Sequence, residues 1–154
     1  MGSDTWPAAD ICNCLALRQA SRHVTQFYDQ FLAPAGLRIT QFSILAKLRR
    51  LGPLSINALA KELVMDRTTL GRNILPLERE GLIAVVKGST DRRSKELQLT
   101  DAGLARLRKA VRNWADAQAR FERAFGGERT LKLRALLHAV AASDLAGAAD
   151  TAPN

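Results

Sequence analysis

Cysteine, histidine and tyrosine are almost missing from these 154 residues, which hold two Cys, two His and one Tyr. Cys12 and Cys14 alone cannot frame a disulfide scaffold, and with no signal peptide at the start they lead us to expect a reducing, cytoplasmic setting. Taken with His23 and His138 they follow no closed zinc spacing, so neither metal nor cofactor is expected. No apolar run approaches the roughly 18 residues of a membrane span, so no membrane partner is expected. A nucleophile elbow, a phosphate-binding glycine loop and an H-E-x-x-H helix are all missing, which argues against an enzyme. No repeat at solenoid periods appears.

What the chain does have is ordinary globular material, 47% hydrophobic and 25% charged, with an excess of positive charge. Its length fits one domain able to bury a core without staples. The formal charge is +8. Residues 41–110 carry fourteen basic and seven acidic side chains, whereas residues 1–40 carry three of each and residues 111–154 six and five. An excess confined to the middle points to a polyanion bound there, with the ends free for other work. Charge alone fits a solvated surface equally well.

Apolar spacing divides the chain into helices. Cys14, Leu17, Ser21, Val24, Tyr28 and Phe31 share one face of a first helix from Asp10 to Ala33, with Asp10 as its N-cap and Pro34 and Gly36 as stops. Thr40 is placed to cap a second helix bearing Phe42, Leu45 and Leu48, which Gly52-Pro53 ends. Ser55 caps a short third helix with Ile56, Leu59, Ala60 and Leu63 inward. After a tight turn at Val64-Met65, Asp66 caps a fourth with Leu70, Ile74 and Leu77 inward and Gly81 at its C′ position. Pro76 should kink or end that helix, although Leu77 and Gly81 carry the pattern past it.

Residues 55–81 therefore read as a helix-turn-helix. Arg67, Thr68, Thr69, Arg72 and Asn73 lie on the outer face of its second helix, near the N-terminus. In this motif that end enters the major groove, where Arg suits guanine, Asn suits adenine and Thr offers a hydroxyl and a methyl. Gly71 leaves room for a backbone to approach. Leu82 to Lys87, the turn at 88–91, and Leu97 with Leu99 then make a hairpin with a basic tip. Such a wing can lay Arg92 and Arg93 along phosphates or into the minor groove, with Asp91 bracing a guanidinium. Ser55, at the start of the motif, joins the candidate DNA contacts.

From Thr100 or Asp101 a long helix carries Leu104, Leu107, Val111, Trp114, Gln118, Phe121 and Phe125 at alternating three- and four-residue steps, up to Gly126-Gly127. The seam is either a core face or a partner face with Gln118 setting register. We expect dimerisation there, with Trp114, Phe121 and Phe125 as anchors, because helix-turn-helix proteins pair to place two reading helices one DNA turn apart. A last helix carries Leu133, Leu136, Leu137 and Val140. The expected fold is mostly α with one small β-hairpin wing. In a single domain over 1–154, residues 1–39 form the leading helix, 40–100 the winged helix-turn-helix, 101–146 the dimerisation helices and 147–154 a frayed tail.

M-D-R-T-T-L-G-R-N, then L-E-R-E-G-L-I and D-R-R-S-K-E-L-Q-L-T-D-A-G, resemble the MarR family of winged-helix transcription regulators over nearly the whole chain. The resemblance implies a homodimer on a pseudopalindromic double-stranded DNA operator. It implies a repressor, released by a small aromatic or phenolic effector or by an oxidant. The first helix is similar to the organic-peroxide-sensing branch, which places Cys14 at the sensing position and Tyr28 as one of its hydrogen-bonding tyrosines. A second tyrosine of that branch is Ile39 here, and the aromatic soon after the cysteine is Arg18. Arg18, one turn from Cys14, could favour a thiolate or pair with a carboxylate ligand. Cys14 could equally be a small buried hydrophobe. Cys12 and Cys14, read as helical neighbours about 200° apart, would not bridge each other. The rival from another class is a basic structural or RNA-associated protein that binds shape without reading sequence.

Overall fold

The first helix, α1, spans Asn13–Leu32, and its cap is Cys12 rather than Asp10. Cys12 holds an extended conformation and its Sγ accepts the N–H of Leu15 at 3.4 Å. Asp10 lies instead in a short 3-10 turn, Ala9–Ile11. Cys12 is therefore not a helical residue, and the 200° separation argued from the sequence does not apply to it. The computed structural model describes residues 8–147; the expected tail lies outside them except for Gly147. These residues form two compact units that divide after Ala117.

The second helix, α2, covers Ile39–Leu51 and starts one residue before Thr40. Its cap comes from other side chains: Gln41 Oε1 accepts the N–H of Arg38 at 3.0 Å, and Asp29 Oδ1 on α1 accepts that of Ile39 at 2.7 Å. Orphan N–H groups at a helix start need acceptors, and a carboxylate from a neighbouring helix serves as well as a local hydroxyl. Asp29 thus also fixes the angle between α1 and α2.

Strand β1, Leu54–Ser55, leads into α3, Ile56–Leu63, whose cap is Ser55 as expected. Helix α4, Arg67–Arg79, is capped by Asp66 and runs on through Pro76. The carbonyl that Pro76 leaves unbonded belongs to exposed Arg72, on the outer side of the helix where water can satisfy it. Leu82 N–H reaches the Leu77 carbonyl at 2.9 Å and Gly81 N–H that of Glu78 at 3.0 Å. That is a Schellman turn, and it requires the left-handed φ of +70° that Gly81 adopts.

Strands β2, Ile83–Lys87, and β3, Lys95–Leu99, form the expected hairpin. β1 joins it as a third antiparallel strand, with Leu54 opposite Leu97 and Ser55 opposite Glu96, in the order β1-β3-β2. Two residues are too few for an alternating signal, so the sequence alone did not show this strand. It stitches the base of the wing to the start of α3.

Helix α5 is Asp101–Phe125 and α6 is Gly127–Ala142. The core of the first unit gathers Leu32, Ile44, Leu45, Leu48, Leu59, Leu70, Leu77 and Ile83, all essentially solvent-free. Each such side chain contributes about 1.5–3 kcal/mol. From α5 the buried positions are Gly103, Leu107, Ala110 and Ala117, with Trp114 half-buried against the cluster. This stripe shares only Leu107 and Trp114 with the three-four seam, and Val111 is 46% exposed. Small residues at 103, 110 and 117 let α5 lie close: a Cβ on Gly103 would overlap the Leu82 carbonyl. Asn113 Nδ2 ties α5 to the Phe31 carbonyl at the end of α1, at 2.8 Å.

In the second unit, Phe121 and Phe125 lie 5.7 Å apart, and the Arg129 guanidinium sits 4.3 Å above Phe125. Leu131, Leu136, Leu137 and Val140 of α6 are exposed. No described helix is long and apolar enough to cross a membrane.

Candidate nucleic-acid interface

Val64 and Met65 join the two helices of the motif through a second Schellman turn. Met65 N–H bonds the Ala60 carbonyl at 2.9 Å and Val64 N–H that of Lys61 at 3.2 Å, with Val64 at φ +52°. The turn leaves Val64 exposed and delivers Asp66 to the head of α4. Asp66 Oδ1 accepts the Thr69 N–H at 2.8 Å and Oδ2 the Thr69 hydroxyl at 2.6 Å. Those two bonds, the hydroxyl's first, hold its carboxyl below the usual value.

Leu70, Ile74 and Leu77 face the core, which turns the residues a half-turn away from them to solvent. Arg67, Thr68, Thr69 and Arg72 are all exposed. Asn73 is half-buried, and its Nδ2 donates to the Thr69 carbonyl at 2.9 Å. The hydroxyl of Thr69 and the amide of Asn73 are thus engaged within α4, while Thr68 and Arg72 point outward. Arg67 stands to one side. Together with Gly71, Leu75, Val85 and Lys95 it lines a cleft of about 290 Å³ between α4 and the hairpin. A Cβ on Gly71 would meet nothing within 4 Å, so no packing inside the chain demands glycine there.

Ser55 spends its hydroxyl oxygen on the Ala58 N–H at 3.1 Å and is half-buried. At the wing tip, Gly88 N–H bonds the Ser94 carbonyl at 2.9 Å. Glycine is needed here, since a Cβ would overlap Ser94 Oγ and the Asp91 carbonyl. Asp91 Oδ1 accepts the backbone N–H of Arg93 at 2.9 Å. The carboxylate therefore shapes the turn through the main chain instead of bracing a guanidinium. Arg92 and Arg93 are exposed at the tip.

Residues 37–95 match the sequence model of the MarR family. HTH-type transcriptional regulator PecS of Dickeya dadantii (strain 3937) is 30% identical over 124 residues, 79% of this chain and 75% of that protein. The chain belongs to the MarR family. The organic hydroperoxide resistance transcriptional regulator of Bacillus subtilis (strain 168) is 29% identical over 98 residues, 64% of this chain and 67% of that one. The M. tuberculosis transcriptional regulator MosR, solved in complex with DNA, superposes with a TM-score of 0.73 at 38% identity, over 87% of this chain and 99% of that one. This MarR-family regulator is thus a winged-helix protein, mostly α with a small antiparallel sheet, as its sequence implied.

The residues that the resemblance offered for sensing are not gathered in one chain. Cys14 is exposed in the single chain, as is Cys12, so the chain's own core does not bury it. Arg18 is exposed one turn along, while Tyr28 is buried. Cys14 and Tyr28 are fourteen positions apart on α1, about 21 Å along the helix. Trp114, expected as a dimer anchor, stacks on Phe42 of its own chain at 5.8 Å and 14°. Phe121 and Phe125 are half-buried in the second unit. His23 and His138 are exposed, and no three His, Cys, Asp or Glu residues cluster among the described residues. Arg79 and Lys95, both exposed, escaped the sequence reading. Arg79 continues the outer stripe Thr68-Arg72-Leu75 at helical spacing, a signal that was present; Lys95 comes beside α4 only through the sheet.

Proposed function

We propose that this regulator binds a pseudopalindromic double-stranded DNA operator as a homodimer and represses transcription until an effector releases it. Arg67, Thr68, Thr69, Arg72 and Asn73 read the major groove. Arg93, with Arg92, enters the minor groove or follows its phosphates. The observation that carries this reading is the outward N-terminal face of α4, where Thr68 and Arg72 stand exposed, followed in the chain by a wing with Arg92 and Arg93 exposed at its tip. The DNA complex of MosR supports it. Exposed leucines on α6, and Ile11, Leu15 and Leu17 near the start of α1, supply apolar surface for pairing. Selection from a random duplex library tests the reading. An inverted repeat should be enriched; a pool with no common sequence would favour a protein that binds shape alone, whether DNA or RNA.

For the input, a small aromatic or phenolic ligand is the first reading. An oxidant acting on Cys14 is the second, favoured by the exposure of its thiol and by the hydroperoxide-resistance relative. Given the 21 Å of helix between them, a Cys14–Tyr28 contact must be made between two copies. Operator release by an organic hydroperoxide, compared with Cys14→Ser, separates the readings. Equal release from both proteins would discard the thiol.

A further inference from the structure

We propose that Arg106 is a positioning residue, holding the recognition helix α4 in a fixed orientation to α5 and to the end of α1. The proposal rests on the dimer-and-operator reading above. Its basis is the turn that ends α4, at Glu80, Gly81 and Leu82. Thr100, just before α5, and Gly103 and Arg106 within it grip this turn at three successive steps. Thr100 Oγ1 donates to the Gly81 carbonyl at 2.6 Å, and Thr100 N–H to that of Leu82 at 3.2 Å. Gly103 packs on the Leu82 carbonyl with no room for a side chain. Arg106 Nη1 donates to Glu80 Oε2 at 3.2 Å and to the Gly36 carbonyl at 3.3 Å. One nitrogen thus joins three elements: α5, the C-terminal end of α4, and the turn after α1.

Gly36 leaves the guanidinium room to approach the backbone. Gly36 adopts φ +70°, and a Cβ there would come within 2.9 Å of Arg106 Nη1. The two N–H groups of that nitrogen point in fixed directions, a geometry a lysine ammonium does not impose. Arg106 and Glu80 side chains are 32% and 47% exposed, so the pair adds little to stability. Its leverage is angular. α4 is about 20 Å long, so a tilt of about 6° at its C-terminal anchor moves the base-reading end by about 2 Å. On a single half-site the protomer can re-seat as a whole and recover its hydrogen bonds to base edges. In a dimer the same tilt alters the distance between two recognition helices that must fall about 34 Å apart.

The test uses the intact dimer with Arg106→Ala, with Glu80→Ala, which removes the acceptor of an exposed side chain, and with both changes. Three duplexes are titrated: the selected operator, the operator with one base pair inserted between half-sites, and a single half-site. Wild type should bind the inserted duplex far more weakly than the operator. Each variant should bind the half-site as wild type does and the operator about five-fold more weakly. The penalty for the insertion should shrink, and the double variant should match the singles. Variants that keep the wild-type operator affinity and insertion penalty would overturn the proposal. So would equal losses on half-site and operator, which mark a merely structural role. A wild type indifferent to spacing would instead defeat the dimeric-operator reading. Glu80→Ala keeps the test open if Arg106→Ala melts at a lower temperature.

Discussion

Asn73 donates its side-chain amide to the carbonyl of Thr69, one turn back on α4, at 2.9 Å. This bond uses one amide hydrogen and restricts the orientation in which the rest of the amide can meet an adenine edge, whereas Arg72 is exposed on the outer face. The two residues therefore differ as readers although both are of base-reading type. Arg72→Ala should cost about 1–3 kcal/mol of binding to the selected operator and relax preference at one base pair. Asn73→Ala should cost less. Titration of both variants against single-base operator variants checks this, and an Asn73 loss exceeding the Arg72 loss would reverse the assignment.

The wing should act without reading sequence. Arg93 is exposed at a tip that Asp91 shapes through the Arg93 backbone N–H. Arg93→Ala should weaken binding to all duplexes alike and lower the salt slope by about 0.9 for each phosphate that the side chain no longer neutralises. Asp91→Ala should do the same indirectly, by loosening the turn. Binding isotherms over a range of salt concentrations measure both slopes; a sequence-dependent loss for Arg93→Ala would place it on base edges.

Asp66 makes the head of α4 sensitive to acid. Its carboxyl lies below the ordinary value of 3.8 because it accepts from the Thr69 hydroxyl and the Thr69 N–H. A depressed folded-state value means stability that is present above the ordinary carboxylate range and lost as pH falls through the lowered one. Wild type should thus melt higher than Asp66→Ala at neutral pH, with the gap closing only below pH 3.8. Thermal melts of both proteins across that range test it, and a gap independent of pH would show that the carboxylate charge is immaterial.

Gly103 is where α5 crosses closest to the Leu82 carbonyl. Gly103→Ala raises helix propensity yet forces backbone apart, and the second effect should win, destabilising by about 1–3 kcal/mol. Denaturant titration gives the answer. A more stable alanine variant would mean that the crossing has room to spare.

Caps and turns made by neighbours in the chain were legible from the sequence. Ser55, Asp66 and Gly81 do what their positions implied, since a side chain reaching three residues along the backbone needs no tertiary information. The start of α2 was not, because Asp29 supplies an acceptor from another helix and moves the boundary ahead of Thr40. β1 was hidden by its length. The seam on α5 was visible as periodicity, but its use was not: packing against Phe42 takes Trp114, and Val111 is left exposed.

Residue order alone determined the helix-turn-helix, the basic wing and the middle placement of the positive charge, because each depends on spacing along the chain and on local hydrogen bonding. Tertiary structure decided which base-reading side chains stand clear. Thr69 and Asn73 turn back onto α4, Arg67 turns toward the cleft by the wing, and Arg72 remains outward. It also brought Gly36, Glu80 and Arg106 together from three distant stretches of sequence. Periodicity names the face of a helix, but only the neighbouring elements fix where that face points and which of its groups are already bonded.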